Sequence, residues 1–336
     1  MIELKDYNLC FRFPEVHEQA ELRINFQRTL RIPDNDKEYP LPPGLGNFPL
    51  EHVDDYSERV PERWIEHGGV MLPMYQSEAL WVNFSGFYPF AVKVATGKIN
   101  AVTGESWKKG LNRGPQDYMA TPRQPWLDGY CVEKGVIRQF VAMPLGSGYS
   151  AEEQITGEAE HGGLQIVVYP LKREVFERRY RTAPSASRFL TGEAIMCVKS
   201  VRSAAPDMGL APGGKMRQEI YDDPNHLEDW DQRHSSRCFV HIANSLMWKD
   251  FTGNNPPTVP PTARQYSKAG LPWFDYYSDN GTAVEGSDIL SKLKSVVKLG
   301  KEKGDVPLPE NEPAEINKVV KLREGLKKHQ VREGSF

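Results

Sequence analysis

Four carboxylates and an imidazole fall within residues 152–161: Glu152, Glu153, Glu158, Glu160 and His161. Such oxygens and nitrogens are the donors a divalent cation takes, and they can also pass protons as a general acid and base. In an extended chain Glu158 and Glu160 share one side and His161 takes the other. Glu158, Glu160 and His161 are therefore the candidate metal ligands. A divalent metal is the one cofactor the sequence suggests, and otherwise none is expected. Glutamates on a glycine-bearing loop are ordinarily solvated, which is the competing reading.

A second set is aromatic. Trp81 and Trp126, with Arg138 and Tyr149, are the candidates for a small-ligand pocket. Trp81, Phe84, Phe87, Tyr88 and Phe90 lie close together in sequence, and the expected role of that cluster is packing between sheets.

The remaining patterns fall short of chemistry. His226, His234 and His241, with Asp229 and Asp231, lack the His-Glu-x-x-His spacing of a helical zinc site, and His241 sits among apolar residues as a core histidine would. Gly146-Ser147-Gly148 is not Gly-x-Ser-x-Gly, and residues 211–215 lack the phosphate-loop spacing. The arginines between Arg173 and Arg188 read as a solvated basic face or an intersubunit salt-bridge surface. The whole chain carries a net charge of -3, so nucleic acid is not an expected partner.

These residues need elements to hold them. The segment 136–171 opens with one apolar run and closes with another, with glycines between. Ser150-x-x-Glu153 is a capping box, predicting a short helix over 151–156 that Gly157 ends. Alternating apolar residues predict strands over 9–13, 21–31, 79–84, 90–95, 130–132, 136–143, 164–169 and 195–198. Thr96-Gly97-Lys98 and Glu133-Lys134-Gly135 read as turns between paired strands. Residues 33–65 hold prolines 33, 40, 42, 43 and 49, which predict a long ordered loop or an arm. Residues 205–215 read as loop, and 237–252 as a helix stopped by Gly253. Two helices with basic outer faces are expected over 288–303, capped by Ser287 or Asp288, and over 315–328.

Composition bounds the class. The chain has 336 residues, 39% hydrophobic and 26% charged, as a soluble globular protein does. Its four cysteines are far apart in sequence, with no paired Cys-x-x-Cys, so a reducing compartment is expected. Neither a secretory leader nor a membrane span is visible. The expected fold is α+β, with a mainly antiparallel sheet core that could be sandwich-like, proline- and glycine-rich loops and C-terminal helices. Residues 1–200 would form the core, 201–285 an extension packed on it, and 286–336 a helical segment. The leading functional expectation is a cytoplasmic protein without catalytic activity that binds protein partners or its own copies through its proline-rich arms and aromatic surfaces. A metal-dependent hydrolase using the loop 152–161 and a small-ligand binder with an aromatic pocket are the alternatives.

Overall fold

A computed structural model describes residues 1–35, 37–180, 205–276 and 282–322. The period-two patterns become strands. In Glu21–Thr29, Leu22, Ile24 and Phe26 turn inward, and in Ala79–Ser85 so do Leu80, Val82 and Phe84. One sheet has the order Ile2–Lys5, Asn8–Arg12, Glu21–Thr29, Ala79–Ser85, Val136–Pro144, Met208–Arg217 and Glu38–Tyr39, with Gly44–Asn47, Trp126–Leu127 and Gly129–Glu133 paired alongside. A second sheet runs Ile99–Asn100, Phe90–Thr96, Leu164–Pro170, Ser236–Asn244, Val70–Met74 and Glu51–His52, with Met119–Thr121 paired to its second strand.

Most pairings are antiparallel. Residues of both sheets meet in one core: Phe26, Val82 and Phe140 from the first, Val92, Ile166 and Ile242 from the second. A mainly antiparallel α+β architecture is therefore observed. Burial of these apolar faces drives the association, at roughly 25 cal/mol per Å² removed from water.

The outer faces are covered in patches. On the first sheet Ala79, Val141 and Met143 lie under Tyr149, Val296 and Leu299, while Ile137 and Met216 lie under Tyr266 and Trp273. On the second, Met71 and Ala243 lie under Trp64, Trp248 and Phe251.

Four stretches differ from their patterns. Residues 208–217 and 236–244 are strands in the two sheets rather than loop and helix. Glycine lowers the strand propensity of 208–217, but these glycines allow close backbone approach: a Cβ on Gly214 would stand 2.7 Å from the Pro33 carbonyl oxygen. For 237–252, helical spacing competed with two inward-facing alternations, and only Trp248–Thr252 is helical, closed by Gly253 in the left-handed region as expected. The segment 288–303 divides into helices Asp288–Ser291 and Val296–Lys303, capped by Ser287 and Ser295. In place of a final helix, 315–318 have no regular structure and Val319–Leu322 forms a strand parallel to Trp273–Tyr276, while 323–328 lie outside the described residues. The strand expected at 195–198, with Cys197, and Arg181 and Arg188 also lie outside them.

Other expectations hold. The Ser150/Glu153 capping box and the Gly157 cap define the helix Ala151–Thr156. The proline-bearing segments lie on their own chain. Leu41 exchanges backbone hydrogen bonds with Phe274, the Arg28 guanidinium donates to the Thr258 carbonyl, and the Tyr75 hydroxyl donates to that of Pro257 at 2.9 Å. No helix among the described residues is long and apolar enough to cross a membrane.

Candidate functional site

The carboxylates of 152–161 are put to different uses. Glu152 is buried, and its Oε2 accepts from the backbone amides of His161 at 3.3 Å and Gly162 at 2.9 Å. Burial pushes its carboxyl up, and those amides oppose the shift. Glu153 closes the capping box, and Glu158 is exposed. Glu160 and His161 do meet: Oε2 stands 2.9 Å from Nε2 but outside hydrogen-bonding geometry, and Glu160 also pairs with Lys98 at 3.3 Å. Among the described residues no three His, Cys, Asp or Glu side chains are arranged to hold an ion.

Around His161 the fold gathers residues that no spacing announced: Arg63, Trp64 and His67 from the helix Glu62–His67, Asp207, and His241 from Ser236–Asn244. Each is tied to the backbone or to a neighbour. His67 Nδ1 bonds the Arg63 carbonyl at 2.7 Å, and His241 Nε2 bonds that of Gly68 at 3.0 Å. Asp207 accepts from the Trp64 indole at 3.0 Å and pairs with Arg63. Burial holds His161 below the usual imidazole range and takes His241 down to about 4, so His241 is a neutral core histidine stacked on Trp64. Arg63 Nε, Asp207 Oδ1 and, apart from its close approach to Glu160, His161 Nε2 are buried without a hydrogen-bond partner among the described residues. The void beside them is about 10 Å³, the size of a single water. This cleft anchors a helix on the sheet and offers little space for a substrate.

The second set separates into two places. Arg138 donates to the Gly213 carbonyl at 3.0 Å and pairs with Asp34 at 3.4 Å, while the Tyr149 hydroxyl donates to Asp305. These two belong to the packing around the helix Val296–Lys303: Asp34 also accepts from the Val297 amide, and Tyr149 lies against Val296 and Leu299. Trp81 and Trp126 come together elsewhere, 6.4 Å between ring centroids and 71° between planes. Trp126 also meets Tyr276 edge-on at 5.1 Å. Trp81 thereby leaves the core cluster that Phe84, Tyr88 and Phe90 do form.

Strand register explains why. Inward Leu80, Val82 and Phe84 force Ala79, Trp81, Asn83 and Ser85 onto the outer face. Ala79 is fully covered, Trp81 and Asn83 are half-buried, and Ser85 is exposed, so the cover of this strand thins beyond Ala79, while Gln27 and Asn25 on the strand beside it stay buried. On the neighbouring strand Gln27 opposes Trp81 and Asn25 opposes Asn83; across the next edges, Gln27 opposes Asn47 and Trp126 opposes Asn83. The amides form a directed relay. Asn25 Nδ2 donates to Asn8 Oδ1 at 2.9 Å, and Gln27 Nε2 donates to Asn25 Oδ1 at 2.8 Å and to Asn47 Oδ1. Sequence reasoning found the two indoles. It missed Asn25, Gln27, Asn47 and Asn83, although the alternation in 79–85 already placed Trp81 and Asn83 on one side.

Beneath this face Asp128 is buried, beside Trp126 and accepting from Gln218 Nε2 at 2.8 Å. Burial pushes its carboxyl from 3.8 up to about 7, against the favourable contacts of the Trp126 and Gln218 side chains. The folded state binds this proton more tightly than the unfolded chain, so the stabilisation is complete below about pH 4 and is lost as pH rises toward 7. Asp128→Asn should remove that fall. We expect it to be more stable than the parent at pH 8 by up to about 4 kcal/mol, since each tenfold gain in proton affinity on folding is worth about 1.36 kcal/mol. Its urea midpoint should also vary less between pH 4.5 and about 8 than the parent's. A parent midpoint that does not fall over this range would contradict the assignment.

A further groove of about 490 Å³ lies between the turns around Thr103 and Pro115 and the segment 284–289. It is lined by Glu105, Asp222, Glu285 and Asp288 and by no aromatic ring. Arg113 at its wall donates to the carbonyls of Asp223 and Asn225. Comparison with protein-family models, with curated proteins and with solved structures finds no match to this chain.

Proposed function

We propose that this chain is a ligand-binding protein whose site is the outer face around Trp81 and Trp126. The observation that carries this reading is the register: the two half-buried indoles and half-buried Asn83 occupy adjacent positions at the margin of the cover, beside the buried and mutually bonded amides of Asn25 and Gln27. Indole rings give large, rigid contact area at small entropic cost, and amides offer both a donor and an acceptor to orient what lies on them. The cleft at His161 is filled by its own bonds. The proline-bearing segment 254–261 also bonds within the chain, its Thr258 and Pro257 carbonyls accepting from Arg28 and Tyr75.

The test is intrinsic tryptophan fluorescence against a chemically broad panel of sugars, nucleotides, amino acids, short peptides and fatty acids. At least one class should change the emission, and Trp81→Ala and Trp126→Ala should each weaken that binding about tenfold, the 1–3 kcal/mol scale of a lost stacking contact. Binding that survives both replacements would place the site elsewhere.

A further inference from the structure

Three polar ties fasten the helix Glu62–His67 over the second sheet. Arg63 pairs with Asp207, the Trp64 indole donates to Asp207 at 3.0 Å, and the Gly68 carbonyl accepts from His241 Nε2 at 3.0 Å. The apolar contacts beneath the helix stand apart. Trp64 lies with Met71, Ala243, Trp248 and Phe251 in a cluster that shares no residue with the core between the sheets. A unit packed this way can open while the core stays closed. Its connections also permit motion. Residues 57–59 before it are exposed. After it, Gly68 and Gly69 take left-handed φ values of 61° and 91° and lead into Val70–Met74, a conformation glycine adopts freely.

His241 is the tie whose charge can change. Its ring is stacked on Trp64 and is 6% exposed. On the helix, Arg63 and His67 face it, while Glu62 and Glu66 are exposed. Beyond His67 stand His161 and Glu160, the latter paired with Lys98. Asp207 serves Arg63 and Trp64. The flanking strands Val70–Met74 and Leu164–Pro170 carry no charge, and Lys249 and Asp250 on Trp248–Thr252 are exposed. A proton on His241 therefore adds positive charge beside a guanidinium and a second imidazole, and no carboxylate among the described residues is close enough to pair with it.

Burial, with His67 and Arg63, brings this imidazole down from 6.5 to about 4, although its bond to the Gly68 carbonyl opposes the shift. The ring binds a proton less tightly with the helix docked than in water. Docking is thus firmest above about pH 6.5 and weakens as pH falls toward 4, by about 30-fold at pH 5.

We propose that the helix Glu62–His67 is an acid-released latch: protonation of His241 frees it from the second sheet, lets it swing about Gly68 and Gly69, and uncovers the apolar patch of Met71, Ala243, Trp248 and Phe251.

The experiment is hydrogen exchange of the full chain, read by NMR between pH 8 and pH 5. The probes are the Trp64 indole N–H and the Gly68 amide, which donates to the Trp64 carbonyl at 2.8 Å; the reference is the Ala101 amide, bonded to the Val94 carbonyl at 3.0 Å in the main core. Corrected for intrinsic rates, protection of both probes should fall about 30-fold by pH 5 while that of Ala101 does not fall. His241→Gln keeps a donor for the Gly68 carbonyl but takes up no proton, and should hold both probes within about twofold over the same range. Unchanged protection in the parent, an equal fall at Ala101, or a fall that persists in His241→Gln each overturns the latch. If that variant does not fold, the parent's own His241 ring resonances decide. They should remain those of a neutral imidazole down to about pH 5, and a midpoint near 6.5 overturns the proposal.

Discussion

Lys93→Met should lower the stability of the chain by about 3–5 kcal/mol, the range seen when one partner of a buried ion pair is removed. Lys93 lies in Phe90–Thr96 and is 1% exposed, with Nζ 2.6 Å from Asp117 Oδ2. The same ammonium donates to the carbonyls of Lys108 and Gly110, each at 2.8 Å, and lies over the Trp107 ring. A thioether of similar shape keeps the packing but leaves Asp117 buried without its counter-charge and strands two carbonyls. Lys93→Met/Asp117→Asn should recover part of the loss, because the uncompensated carboxylate is then gone. Urea midpoints of the parent, both single variants and the double variant measure this coupling. A single replacement costing under about 1 kcal/mol, with additive behaviour, would show that the pair is solvated.

The other large effect is expected at Gly129, beside the proposed face. A Cβ built there would stand 1.9 Å from the Arg138 carbonyl oxygen and 2.6 Å from its carbon, both backbone atoms of the paired strand. Nothing flexible can give way, so Gly129→Ala must displace one strand from the other. We expect a cost of about 3 kcal/mol, the upper part of the overpacking range. Because Phe140 donates its amide to the Asp128 carbonyl, the same displacement should disturb Asp128 and the indole of Trp126 next to it. Gly157→Ala is the comparison. Gly157 has a left-handed φ of 78° but no atom within 4 Å of a built Cβ, and should cost only about 1 kcal/mol. An unchanged midpoint for Gly129→Ala would mean that these strands do not pair as described.

How much of this was legible in the residues depends on which interaction decided each element. Local decisions could be read. The Ser150/Glu153 capping box, the Gly157 and Gly253 stops, the Thr96-Gly97-Lys98 turn and the alternation in 21–29 and 79–85 are each settled within a few residues. Long-range decisions could not. Residues 208–217 hold glycines and a proline, yet form a strand because Val136–Pro144 pairs with them along their length. Residues 319–322 had helical spacing but found a parallel partner in Trp273–Tyr276.

The candidate sites divide the same way. Glu160 and His161 are neighbours in sequence and meet, whereas Glu158, on the same run, stays exposed because the loop turns at Gly162 to let Glu152 bond its amides. His67, Asp207 and His241 arrive from three distant segments and carry no shared spacing. Trp81 and Trp126 were visible as aromatic residues. The amides around them were not, since Asn8, Asn25, Asn47 and Asn83 become neighbours only through cross-strand register.

The function proposed for this chain rests on the outer face around the two indoles as the place where a ligand settles. The measurement that bears on it most directly is the pair of indole N–H resonances of Trp81 and Trp126, assigned by single replacement and followed as each class of the ligand panel is added. Both should shift together and saturate at one common concentration, with the Trp64, Trp230, Trp248 and Trp273 indoles, which are fully buried, unmoved. Shifts confined to the buried set, or both resonances standing still while calorimetry records binding, would contradict it.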